Sequence, residues 1–65
     1  MNLGDNIKHA RKKSGISQMK LAEILGVKQK DISRWENNSR TPNVITFGEI
    51  CKALNVSADE VLEIK

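Results

Sequence analysis

The stretch ISQMKLAEILGVKQKDISRWEN, residues 16–37, decides how this chain is read. Ser17 is a good helix N-cap, because its hydroxyl accepts a hydrogen bond from a backbone N–H that has no partner in the first turn. Leu21, Ala22 and Leu25 then fall on one helical face, and Gly26 supplies the left-handed residue that ends helices. A second helix is predicted over 28–36, from Lys28 through Glu36. Ile32 and Trp35 point one way there, while Gln29, Lys30, Ser33 and Arg34 point the other, at helical spacing. Only Gly26-Val27 separates the two helices. A turn that short, with Gly in it, makes two helices cross steeply.

Working outward, Leu3, Ile7 and Ala10 predict a helix over 3–14, which Gly15 stops. Asn37-Asn38-Ser39 closes the helix at 36, and Pro42 fixes the next turn. Val44, Phe47, Ile50, Cys51 and Leu54 form a stripe that predicts a helix from 43 or 44 to 54, with all five in the core. Ser57 and Glu60 have the spacing of a capping box and open a short helix over about 58–64. No segment alternates apolar and polar residues in the manner of a strand. The expectation is an all-α, compact five-helix domain occupying residues 1–65, with helices two and three as its working pair.

A chain of 65 residues is one domain with little room for a deep cleft, so its outer surface is where it works. The net charge of +3 is unevenly placed, +5 over residues 1–40 and −2 over 41–65. The first part attracts polyanions. His9 is the only His and reads as a surface residue; Cys51 is the only Cys and reads as a small buried hydrophobe. Neither makes a catalytic pair or a zinc set, and the glycines form no phosphate loop. The chain therefore reads as a non-enzyme with no cofactor or metal. No apolar run is long enough to span a membrane, the first 15 residues are not signal-like, and a lone thiol suits a reducing cytoplasm.

Taken on physics alone, the polar face of 28–36 serves either a nucleic acid or the solvent. Gln matches adenine bidentately, and Arg or Lys matches guanine O6 and N7. Ile16-Ser17-Gln18, Leu21-Ala22-Glu23, Leu25-Gly26-Val27, Ile32-Ser33-Arg34-Trp35-Glu36-Asn37 and Pro42 resemble the Cro and phage-repressor (XRE-like) helix-turn-helix family. So does the junction Ala53-Leu54-Asn55-Val56-Ser57. The resemblance runs from about residue 7 to 62.

It implies a transcriptional regulator, a repressor by default, that binds a double-stranded DNA operator as a homodimer. By the resemblance, Lys28, Gln29, Lys30, Ser33 and Arg34 contact bases. Gln18, Asn37, Asn38, Ser39 and Arg40 contact phosphates. Arg11 and Glu36 form a structural ion pair, and the fifth helix together with residues near Asn55, Val56 and Ser57 supplies candidate dimer contacts.

Three departures stand out. Lys28 occupies a position that is often Ser or Thr, and Lys cannot cap a helix with an acceptor. Asn38 stands where Gly is usual. Ile24 and Ile45 occupy positions that are commonly polar. The competing reading is an antitoxin-like or regulatory module that uses Ile24, Ile45, Leu62 and Ile64 to hold a protein partner.

Overall fold

The turn residues anticipated from the sequence set the path of the chain. In the computed structural model, which describes residues 3–62, α1 spans Leu3–Lys13 and α2 Gln18–Leu25. They are followed by α3 at Gln29–Glu36 and α4 at Val44–Leu54. The short segment Ala58–Leu62 (α5) follows Ser57. No strand occurs among the described residues.

The Ser17 side chain caps α2 by accepting the Lys20 N–H at 3.0 Å. Gly26 ends the helix at φ 72°, ψ 28°, a left-handed conformation that costs a residue with a Cβ roughly 1–2 kcal/mol. α4 is capped the same way, with Asn43 Oδ1 accepting the Thr46 N–H at 2.8 Å.

α3 starts differently. Lys28 is its N-cap and makes no side-chain cap bond. The Asp31 carboxylate instead accepts the Lys28 backbone N–H at 3.2 Å. That is the return half of a capping box. The helix therefore begins at Gln29, one residue later than predicted.

The core is Ile7, Ala10, Leu21, Ala22, Ile32, Ile50, Cys51, Leu54 and Val61, so every helix contributes to one cluster. α1 packs on α3 and α5, and α2 packs on α3 and α4. The Ser14 hydroxyl donates to Leu54 O at 3.1 Å, tying the first corner to the end of α4. Burial pushes the pKa of the Cys51 thiol up, which leaves it protonated and inert.

The structure corrects two core assignments, Val44 and Phe47. Val44 is 82% exposed. Successive residues on a helix are about 100° apart, so Val44 lies roughly 70° from the centre of the arc formed by Phe47, Ile50, Cys51 and Leu54, in the helix's open first turn. Burial along α4 is confined to Ile50, Cys51 and Leu54. Trp35 and Phe47 are half-buried and pack against the core from its edge.

Two buried residues in α1 carried no obvious sequence signal. Asn6 is 6% exposed, and its Oδ1 has no hydrogen-bond partner. Gly4 donates its N–H to Asn38 Oδ1 at 3.0 Å. A Cβ at Gly4 would lie 2.5 Å from both that oxygen and Trp35 O. A glycine near the start of a helix, where it weakens propensity, was the available hint of a close approach.

Candidate nucleic-acid interface

α3 is clamped on its inner side. Ile32 is fully buried and Glu36, one turn later, is 3% exposed. The Glu36 carboxylate accepts Arg11 Nε–H at 2.6 Å and Arg11 Nη2–H at 3.1 Å, the two-point geometry that makes guanidinium–carboxylate pairs specific. Arg11 Nη1 donates to Ile16 O at 2.8 Å. One guanidinium therefore joins α1, the turn before α2 and the end of α3.

Gln18, the first residue of α2, extends this cluster outward. Its Nε2 donates to Glu36 Oε1 at 3.0 Å, and Gln29 Nε2 donates to its Oε1 at 3.4 Å. The sequence placed Gln18 at a helix start and did not anticipate its bond to a residue on another helix.

The other side of α3 is open. Lys28, Gln29 and Lys30 are exposed, and Ser33 and Arg34 are half-buried. Lys28, Lys30 and Arg34 line one shallow depression together with Gly26, Val27 and Asp31. Asp31 is the acid among these cations. The sequence reading passed over it, although a carboxylate three residues into a helix is a known start signal.

At the far end of α3, Asn38 takes the left-handed conformation at φ 67°. The Ser39 and Arg40 N–H groups return to Arg34 O at 2.9 and 3.2 Å. Asn37 Oδ1 accepts the Ser39 N–H at 2.9 Å. The loop is thus held by the Arg34 carbonyl and the Asn37 carboxamide oxygen, with Ser39 and Arg40 exposed beside them.

Gln18, Lys28, Gln29, Lys30, Ser33 and Arg34 therefore share one region, and residues 37–40 bound it at the other end of the helix. Ile24 and Ile45 are 49% and 74% exposed. Ile64 and the side chains of Glu60 and Leu62 lie outside the described residues. Among those described, no cluster of His, Cys, Asp and Glu has the makings of a metal site. No described helix is long and apolar enough to cross a membrane.

A packed helix pair joined by a short turn, with one buried and one open side on its second helix, defines a helix-turn-helix domain. The family model described as "Helix-turn-helix" matches residues 7–61, and the chain belongs to that family, in its Cro and phage-repressor (XRE-like) branch. The family is one of DNA-binding regulators, not enzymes.

The HTH-type transcriptional regulator ImmR of Bacillus subtilis is 36% identical over 62 residues, covering 95% of this chain and 49% of that protein. The antitoxin PezA of Streptococcus pneumoniae is 32% identical over 60 residues, 92% of this chain and 38% of that protein. The chain thus spans less than half the length of these curated relatives. The crystal structure of the P22 c2 repressor in complex with a synthetic operator superimposes with a TM-score of 0.86 at 35% identity, covering 97% of this chain and 96% of that one.

Proposed function

We propose that this domain reads duplex DNA in a sequence-specific manner as a transcriptional repressor, with α3 in the major groove. The observation that carries the reading is the division of α3. Its inner side is locked by Ile32 and by the Arg11–Glu36 pair. Its outer side presents amide and cationic donors clear of the core. A groove reader needs that combination of rigidity and reach.

In this reading Lys28, Gln29, Lys30, Ser33 and Arg34 address base edges. Gln18, Asn37, Asn38, Ser39 and Arg40 hold phosphates, Gln18 from a helix start, where backbone N–H groups attract anions. Residues 1–65 act as a single unit of the five-helix phage-repressor type, α5 included, in the cytoplasm and as a homodimer on the operator. The likeness to an operator-bound repressor supports the reading.

The test is selection from a random duplex library at near-physiological salt. Enrichment of an inverted repeat with half-site centres about 10 bp apart is the expected outcome. Binding that is only bulk and salt-sensitive, with no enriched sequence, overturns it.

A second reading, a module that holds a protein partner, draws on Met19, Ile24, Val44 and Ile45, which are 65%, 49%, 82% and 74% exposed, and on the similarity to an antitoxin. The double substitution Gln29→Ala with Arg34→Ala separates the two readings. It abolishes DNA binding and leaves any protein complex intact.

A further inference from the structure

We infer that Asn38 is a positioning residue for Arg40. Its carboxamide oxygen fastens the loop after α3 to the start of α1 at Gly4, and this holds Arg40 where it meets a DNA phosphate. The inference rests on the DNA-reading function proposed above and deepens one part of it.

Two residues here stand where another type is ordinarily favoured. Asn38 has φ 67°, a left-handed backbone that glycine adopts more readily than asparagine. Gly4 lies within α1, where glycine weakens a helix. One contact accounts for both. The Gly4 N–H sits in the first turn of α1, where backbone donors lack a partner within the helix. It donates to Asn38 Oδ1 at 3.0 Å. Because the backbone group is a donor, the facing atom of the amide is its oxygen. A Cβ at residue 4 would lie 2.5 Å from that oxygen, so the bond needs glycine there. A glycine at residue 38 would ease the backbone and lose the bond.

The backbone of the loop is fastened to its own helix. The Ser39 and Arg40 N–H groups return to Arg34 O, and the Asn38 N–H reaches Trp35 O at 3.3 Å. The Asn38 side chain instead crosses to a residue 34 positions earlier, on another helix. Arg40 follows two residues later and is exposed. Ordering a long side chain and its loop on a phosphate loses conformational entropy. A loop already braced from two helices loses less on binding. By linkage, a phosphate held by Arg40 in turn strengthens the bond between Asn38 and Gly4.

The experiment measures affinity for the enriched duplex over a salt series. It compares the wild-type chain with Asn38→Gly, Arg40→Ala and the two together. Thermal melting checks folding, and duplex selection gives each base profile. Each cation on a phosphate adds about one to the slope of log affinity against log salt. Arg40→Ala should therefore lower the slope by about one. Asn38→Gly removes no charge, yet should lower the slope by nearly as much. It should weaken binding roughly fivefold and leave the base profile unchanged. The double variant should match Arg40→Ala alone, because both changes act on one contact.

Weaker binding by Asn38→Gly at the wild-type slope makes Asn38 a neutral phosphate contact and overturns the inference. Wild-type affinity in that variant, an altered base profile, or a double variant weaker than Arg40→Ala also overturns it. So does an Arg40→Ala slope equal to that of the wild type, and the DNA reading then still stands. If Asn38→Gly fails to fold, hydrogen exchange at the Gly4 amide decides. Saturating duplex should slow it more in the wild type than in Arg40→Ala; equal slowing in both, or none, overturns the inference. No enrichment by the wild type overturns the DNA reading itself, and this inference with it.

Discussion

Helices α3 and α4 are both amphipathic, and each starts beside a turn that the sequence marks plainly. They differ in what faces outward. α3 has a poor cap at Lys28, yet its inner side is locked by Ile32 and a buried ion pair, and its outer side is polar and basic. α4 has a good cap at Asn43, yet its first turn exposes Val44 and Ile45, and its packing sits in its second half. The contrast teaches that cap quality does not report how tightly a helix is held. A helix is held by what its inner side touches, and α3 is held by partners from two other helices.

The largest expected effect tests that lock. Glu36→Ala, with Arg11 left in place, leaves a buried cation unpaired and should cost about 3–5 kcal/mol of stability, measured by urea denaturation. A cost below about 1 kcal/mol would mean that the ion pair does not hold α3.

Next is the open side of the same helix. Arg34→Ala should remove about 1–3 kcal/mol of discrimination at one base position, measured against operators substituted one base pair at a time. Equal weakening on every operator would make Arg34 a phosphate contact instead.

On α4 the expected effects are smaller. A Cβ at Gly48 meets nothing within 4 Å, so Gly48→Ala should stabilise the domain by up to about 1 kcal/mol through helix propensity alone; a loss in the same denaturation assay would show that the position is constrained. Smallest of all, Val44→Ser and Ile45→Ser should each change stability by no more than about 0.5 kcal/mol. A larger loss at Val44 would restore it to the core and erase the contrast between the two helices.

The ends of α2 were legible because they are local. Ser17 caps a backbone N–H three residues away, and Gly26 ends the helix through its own dihedral angles. The polar set on α3 was legible for a similar reason, since helical period alone separates Ile32 from Lys30 and Arg34. Val44 misled because a stripe of apolar residues predicts a face, and a residue at the stripe's edge in a first turn is buried only if another element reaches it. Gln18 is a different case. Its position at a helix start was correct, and its partner lay 18 residues further along the chain.

By itself the sequence determined the all-helical character, the short turn between α2 and α3, and the cationic outer side of α3. Each of these follows from dihedral preference, hydrophobic period and charge, which act over a few residues. Only the tertiary structure decided that Gly4 must be small beneath Trp35 and Asn38. It also decided that Val44 remains outside, and that Arg11, Glu36, Gln18 and Gln29 form one connected set running from the interior to the surface. These depend on where separate helices come to rest against each other, which is fixed by packing of the whole core and by no single stretch of the chain.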